Sequence, residues 1–365
     1  MTADRTRVLQ LIKGLGPGGA ERLIVNHLAS GDHARFDYEV AYLVAEKRHL
    51  VPEIEALDVA VHRLDGTAIT WATGLRALVR DRGIDVVHVH SPLVAAIARV
   101  ALRTLGRGRP SIIYTEHNRW PRHARATRAL NRCTINLNDE TIAVSEDVRS
   151  TMPRHLEDRI EVLVHGVDRA EVTRQAVARQ EVRAELGIGA DELVVGIVAN
   201  FRREKAYDVL LEAATMVIEA CPNVRFVSVG QGPLEADVRV QHDLLGLGDR
   251  FRLLGYRADA VRVMSAFDVY TMSSHHEGLP VSLMDAMTLG LPTVATAVGG
   301  IPEAVRHGVE GLLVPPRRPA LLAAALAQMC RDQDLRAAMG VAASERSRRY
   351  DASVAARRLE SIYLG

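Results

Sequence analysis

Several things are scarce in this chain, and each scarcity narrows what it can be. Its 365 residues hold three cysteines, Cys133, Cys221 and Cys330. They are widely spaced, fit no CxxC or metal-ligand pattern and leave one over in any disulfide scheme, so we expect a reducing, cytoplasmic setting and buried structural thiols. Net charge is only +1, from 46 basic and 45 acidic side chains, which excludes a nucleic-acid binder working by bulk electrostatics. No apolar run approaches the roughly eighteen residues that a membrane-crossing helix needs, and residues 1–7 are too polar for a signal-peptide core. Aromatics make up 4% of the chain against abundant Ala and Arg, a bias of composition rather than a sign of function. Apolar residues, by contrast, reach 48%, enough for two sizeable cores, and the length fits two domains.

Short apolar runs alternate with amphipathic segments of helical length from end to end, the pattern of an α/β protein with parallel sheets. In the first half the runs are residues 8–12, 38–44, 60–64, 86–90, 112–115 and 141–144. Residues 168–191 contain none; they are charged and read as a helical connector. Strands resume at 194–199, 224–229, 251–254, 269–272 and 293–296, and the chain after Pro319 is helical. Each half opens with a strand leading into a ligand-type loop and then a helix. The expected architecture is two Rossmann-like parallel-sheet domains facing each other across a cleft. Residues 1–168 form the first, 169–345 the connector and second, and a helix in 346–365 returns to the first.

The segment Ser273-Ser274-His275-His276-Glu277-Gly278-Leu279-Pro280 carries the most chemistry. Pro280 should occupy the first turn of a helix, where its missing N–H costs nothing. The N–H groups of Gly278 and Leu279 would then face outwards at a helix N-terminus, a natural pyrophosphate site. Asp285 falls two turns further on, in reach of a ribose. A carboxylate for a sugar, a helix tip for phosphate and a second acid for ribose is the layout of a nucleotide-sugar site; an acid before a helix plus a surface Asp is the plainer alternative. Gly14-Leu15-Gly16-Pro17-Gly18-Gly19 matches the dinucleotide fingerprint after a strand and before a helix. A dinucleotide site needs an acid near the end of the next strand, yet Glu39 stands at its start and Glu46 beyond it. Gly18 and Gly19 otherwise read as a loop that a substrate passes closely, or as a structural turn. His88 and His90 alternate on a strand and share a face, with no third metal ligand at suitable spacing. Between Arg99 and Arg132 nine arginines accompany a single acid, Glu116, which suggests either solvated helix faces or an anionic neighbour.

Taken in order, further segments resemble the retaining glycosyltransferases of family four, which have the GT-B fold. They include Gly18-Gly19-Ala20-Glu21, Thr115-Glu116-His117-Asn118, Gly166-Val167-Asp168, Arg202-Arg203-Glu204-Lys205, Gly230-Gln231-Gly232-Pro233 and Gly299-Gly300-Ile301-Pro302-Glu303. The resemblance implies a nucleotide-sugar donor on the C-terminal domain, a hydroxyl acceptor against the N-terminal one, and neither metal nor other cofactor. A metal-binding D-x-D has its only match in Asp332-Gln333-Asp334, between late helices, where a polar junction is the simpler reading. Three positions depart from the family: Asp285 replaces a second Glu, Ala199-Asn200 replaces Gly-Arg, and His165-Gly166 replaces Asn-Gly.

By this resemblance His117 is closest to the transferred sugar and Glu277 holds sugar hydroxyls. Arg202, Lys205, Gly278 and Leu279 meet the diphosphate, Asp285 the ribose, and Gly18 and Gly19 line the acceptor side. Loops around Leu254 and residues 275–279 choose base and sugar, a UDP-sugar being favoured over a GDP-sugar. The expected activity is a metal-independent, retaining hexosyl transfer to a lipid-linked or other glycoconjugate precursor. The expected partners are the donor, a hydroxyl acceptor and an anionic membrane surface, with no nucleic acid. Rival functions are a non-hydrolysing sugar-nucleotide epimerase, a nucleotide-binding pseudo-enzyme and, more remotely, a dinucleotide oxidoreductase.

Overall fold

A computed structural model describes residues 5–176 and 179–365. The chain divides into two compact units, residues 1–168 with 351–365, and residues 169–350. The expected break at 346 thus falls five residues later, because the helix Gln333–Ser347 and the turn after it stay with the second unit.

In the first unit seven strands form one parallel sheet: β1 (Thr6–Ile12), β2 (Phe36–Tyr42), β3 (Ala60–Arg63), β4 (Val86–Val89), β5 (Ser111–Glu116), β6 (Glu140–Ala143) and β7 (Ile160–Val162). Their spatial order is β3-β2-β1-β4-β5-β6-β7. The second unit has six: β8 (Leu193–Val198), β9 (Val224–Val229), β10 (Phe251–Leu253), β11 (Val269–Met272), β12 (Thr293–Thr296) and β13 (Gly311–Val314), ordered β10-β9-β8-β11-β12-β13. Both are doubly wound α/β sheets, in which the strand order reverses once, between β1 and β4 and between β8 and β11.

Helices cover both faces, which is why central strands such as β1 and β4 are buried on both sides and read as near-continuous apolar runs. One side of the first sheet packs Val8, Ile12, Ile113 and Ile142 with Leu359 and Tyr363 of the final helix, Ala352–Tyr363. The other side packs Leu9, Leu11, Val87 and Tyr114. The second core centres on Val195, Phe226, Leu210 and Leu326.

Eleven strands fall within two residues of the apolar runs, and β7 and β13 are additional edge strands. The first is three residues with a glutamate in the middle; the second opens on a glycine, because a Cβ on Gly311 would run into the Thr293 carbonyl of β12. The connector is helical at Arg169–Gln175 and Arg179–Glu185. All three thiols are free, but only Cys330 is buried: Cys221 is half-buried and Cys133 exposed, since the helix Arg125–Thr134 turns that side to solvent. Among the described residues no helix is long and apolar enough to cross a membrane.

Candidate functional site

Where a doubly wound sheet reverses its order, neighbouring strands send their following loops apart and leave a crevice at their carboxyl ends. In the second unit those loops are residues 199–206, after β8, and 273–280, after β11. Across them Lys205 Nζ donates to both oxygens of Glu277, at 2.6 and 2.8 Å. The side chains are 19% and 8% exposed, so the charges face each other rather than water. Ser274 Oγ donates to the same carboxylate at 2.5 Å.

The backbone here is held in an uncommon shape. Ala206 has φ +48°, a left-handed conformation that a residue with a Cβ rarely adopts, and it turns the chain from Lys205 into the helix Tyr207–Ala220. Ser273 Oγ, 2.9 and 3.0 Å from the Lys205 and Ala206 carbonyls, shares its hydroxyl between them, and His275 N–H donates to the Glu204 carbonyl at 2.8 Å. From the next strand, Gly299 (φ +56°) and Gly300 press against the Glu277–Gly278 backbone, where a Cβ on either would collide with a carbonyl. His275 Nδ1 is buried in this loop without a hydrogen-bond partner among the described residues, a group that a ligand would satisfy.

The helix after the loop spans Val281–Thr288, with Pro280 as its N-cap rather than inside its first turn, since the proline's ψ of 128° is extended. The outward N–H groups at the tip are therefore those of Val281 and Ser282. Gly278 and Leu279 lie just before them, and the Gly278 carbonyl accepts from Gly300 N–H at 2.7 Å. Asp285 is half-buried at the fifth position of that helix. Arg202 is exposed on the Lys205 loop. Leu254 is half-buried after β10, its N–H on the Ser228 carbonyl at 2.9 Å, beside the Gly230–Gly255 backbone contact.

In the first unit the corresponding crevice follows β1 and β4. Gly18 caps the helix Gly19–Ser30 with an extended φ of −116°, so its backbone does not demand glycine; an added Cβ would instead meet the Glu21 carboxylate. Glu39 is not available to a ribose, because His62 and Arg82 hold its carboxylate at 2.6 and 2.8 Å. His117 directly follows β5 and lies half-buried, its Nε2 3.1 Å from His90 Nδ1. His90 Nε2 reaches Gln10 Oε1 at 2.7 Å, and Gln10 Nε2 donates to the Tyr363 hydroxyl at 3.0 Å. His88 joins that hydroxyl to Thr115 Oγ1 through bonds of 2.7 Å on each ring nitrogen. Sequence reading leaves His90 open between core packing and a ligand role and does not single out Gln10 or Tyr363. A polar residue inside the apolar run of β1 is the one local signal for Gln10, whereas nothing local links Tyr363 to a strand 353 residues earlier.

The arginine-rich stretch is less free than its composition suggests. Arg99 is fully buried, hydrogen-bonded to Asn131 and Asn138 and 4.7 Å above the Tyr114 ring. Arg103 and Arg109 grip Asp139, and Arg119 faces Asp147. Arg122, Arg125 and Arg132 are exposed and Arg128 half-exposed. Asp332 of the D-x-D spacing caps a helix, accepting from Leu335 N–H at 2.9 Å.

Comparison with known proteins fits this geometry. The chain superposes on the Anabaena protein Alr3699/HepE, solved in complex with UDP and glucose, with a TM-score of 0.85 at 22% identity over 98% of this chain and 99% of that one. The fold is thus GT-B, with two Rossmann-like domains. Residues 5–171 match the model described as Glycosyltransferase Family 4, and residues 178–346 that of Glycosyl transferases group 1. A D-inositol 3-phosphate glycosyltransferase of Corynebacterium efficiens is 29% identical over 348 residues, 86% of this chain and 81% of the relative. A UDP-Gal:alpha-D-GlcNAc-diphosphoundecaprenol alpha-1,3-galactosyltransferase of Escherichia coli is 26% identical over 259 residues, 66% of this chain and 65% of the relative. The chain belongs to glycosyltransferase family four.

Five histidines of the first unit, His27, His88, His90, His117 and His165, are poor bases. Loss of hydration, reinforced by neighbouring imidazoles, lowers His117 and His27 to about 3 and holds His88 and His90 well below their usual value; burial lowers His165 to about 4. All five are neutral when folded but titrate near 6.5 when unfolded, so between about pH 6.5 and 4 the unfolded chain binds more protons. Their contribution to stability is present above pH 6.5 and is lost as pH falls towards their folded values. Urea titrations at pH 7.5, 6 and 5 should show stability dropping below 6.5 with an uptake of more than about one proton on unfolding. His27→Leu, which removes a ring whose nitrogens are both buried without a partner among the described residues, should lessen that slope. Stability unchanged from pH 7.5 to 5 would contradict the assignment.

Proposed function

We propose that this protein is a metal-independent, retaining glycosyltransferase that moves a hexosyl group from a nucleoside diphosphate sugar, UDP-linked by preference, to an acceptor hydroxyl. The observation carrying this reading is the sequestered Lys205–Glu277 pair at the reversal point of the second sheet, beside a helix tip. Membership of the family supports glycosyl transfer. The UDP, glucose and UDP-glucose found on the HepE fold relative support a uridine donor.

In the reaction the bond from the sugar's anomeric carbon to the diphosphate breaks, and the acceptor oxygen bonds that carbon on the same face. The acceptor's proton passes to the departing phosphate. Negative charge grows on the diphosphate, so fixed positive potential there lowers the barrier most. Lys205 exchanges its carboxylate for the diphosphate, Arg202 supplies a second cation, and the N–H groups at the start of Val281–Thr288 add their dipole. Glu277, released, accepts from the sugar hydroxyls and fixes the ring for attack. Asp285 takes the ribose, its shorter side chain suiting a longer or water-bridged contact. Leu254 borders the base, Gly18 and Gly19 the acceptor, and the resemblance gives His117 to the transferred sugar.

Activity should therefore survive chelation. Release of UDP from UDP-glucose, followed with and without EDTA, should be unchanged, and Lys205→Ala should cost at least about tenfold in turnover, given that a buried charged hydrogen bond is worth roughly 1.5–3 kcal/mol. Activity abolished by EDTA and restored by Mg²⁺ or Mn²⁺ would overturn this placement of charge.

The acceptor reading is an anionic one, in the cytoplasm at the inner face of a membrane. It rests on solvent-facing arginines of the stretch, among them Arg122, Arg125, Arg128 and Arg132, which are exposed or half-exposed. The named substrates of both relatives above carry phosphate, on an inositol in one and on a lipid in the other. Each basic residue near an anionic surface adds about 1 kcal/mol. The protein should co-sediment with vesicles containing phosphatidylserine, less so at high salt, and stay in solution with phosphatidylcholine alone. Arg122, Arg125 and Arg128 changed together to Ser should weaken the binding without unfolding the protein; equal partition onto both vesicle types, or none onto either, would refute an electrostatic surface.

A further inference from the structure

Gln10, His88, His90, Thr115 and Tyr363 form a continuous hydrogen-bonded chain on one face of the first sheet, and it ends at His117. The register explains why these residues meet: Gln10 of β1 lies opposite His88 of β4, and His90 N–H donates to the Leu11 carbonyl, one step along. Tyr363 closes the face from the final helix, stacked edge-on to His88 at a ring separation of 5.7 Å. Burial of these groups demands that every donor find an acceptor, and that demand dictates where the protons sit.

Gln10 is the asymmetric member. Its Nε2 faces the Tyr363 hydroxyl, so its Oε1, which can only accept, faces His90 Nε2. His90 must then carry its proton on Nε2. Since His90 is neutral, its Nδ1 has a bare lone pair, and His117 Nε2 at 3.1 Å has to be the donor to it. One proton per neutral ring leaves His117 Nδ1 bare. At the other end, the Tyr363 hydroxyl accepts from Gln10 and donates to His88 Nδ1, and His88 Nε2–H donates to Thr115 Oγ1. Turning the Gln10 amide over would reverse every bond in the chain and place the proton on His117 Nδ1.

We propose that Gln10, anchored by Tyr363, is a positioning residue that sets the tautomer of His117 through His90, presenting His117 Nδ1 as a hydrogen-bond acceptor. That this acceptor serves a hydroxyl of the donor sugar rests on the function proposed above. Neither Gln10 nor Tyr363 touches substrate in this scheme; each acts only through the imidazoles.

The test is a long-range ¹H–¹⁵N correlation spectrum of the full-length protein labelled at histidine, with the His117 signals assigned by their loss in His117→Ala. In the wild-type protein His90 and His117 should each show a single tautomer protonated at Nε2. Gln10→Met, close in shape but unable to choose between the tautomers, should give mixed or reversed protonation at both rings. Its turnover of UDP-glucose should fall at least about tenfold, with KM for the donor little changed. Tyr363→Phe, which frees the Gln10 amide to turn over, should shift the same signals and provides the answer if Gln10→Met does not fold. A wild-type His117 protonated at Nδ1, or tautomers unmoved in either folded variant, would overturn the proposal. Full activity of His117→Ala with the wild-type tautomer pattern intact would instead refute the sugar role of His117 and leave the hydrogen-bonded chain standing.

Discussion

A lysine and a glutamate paired across the two loops where the second sheet reverses its strand order are the constraint from which the rest of that site follows. Sequestered ion pairs contribute little to stability on balance, because the cost of removing two charges from water offsets their attraction, while losing one partner alone leaves a charge stranded. Lys205 and Glu277 are therefore better understood as two charges held ready than as a staple. The surrounding structure serves to hold them: Ala206 in its left-handed turn, Ser273 fastening that turn, Ser274 on the carboxylate, and Gly299 and Gly300 allowing a neighbouring loop to close over the Glu277 backbone. A diphosphate can replace the carboxylate at the lysine only if the carboxylate gains partners in exchange, and a sugar attached to that diphosphate brings them. In the proposed function the pair thus selects for the intact donor over its separate parts.

The first unit uses the same place in the same topology for different chemistry. Its crevice after β1 and β4 holds neutral groups, a glutamine, a tyrosine and three imidazoles, joined by directional hydrogen bonds rather than by charge. Burial keeps those imidazoles unprotonated at neutral pH, so what they offer is orientation and accepting capacity instead of positive potential. Parallel strands explain the recurrence. In both sheets the carboxyl ends of the two central strands are where polar loop residues can stand on a rigid base without interrupting a hydrophobic face.

Much of this was legible in the sequence because buried parallel strands are continuous apolar runs, and such runs locate themselves. The two edge strands escaped, one too short and too polar in Ile160–Val162, the other masked by the glycine that close approach to β12 requires. The Glu277 loop was visible as a motif, but its detail was not: Pro280 stops one residue short of the helix, which moves the free N–H groups on to Val281 and Ser282. Local spacing said nothing of Ser274 as a partner of Glu277, or of Lys205 reaching that carboxylate from 72 residues away. Tyr363 and the buried Arg99 were hidden for the same reason, since their partners are set by the fold and not by neighbours in the chain.

The central claim is that Glu277 competes with the diphosphate for Lys205 and is released to the sugar when the donor binds. Calorimetric titration of UDP into the wild-type protein and Glu277→Gln, alongside turnover of UDP-glucose by each, tests it most directly. The account predicts that the amide variant binds UDP at least as tightly as the wild type, because a neutral side chain no longer holds the lysine, while its turnover falls by more than about tenfold for loss of a charged hydrogen bond to the sugar. UDP affinity that collapses together with turnover would show that the carboxylate builds the phosphate site instead of competing for it, and would contradict the account.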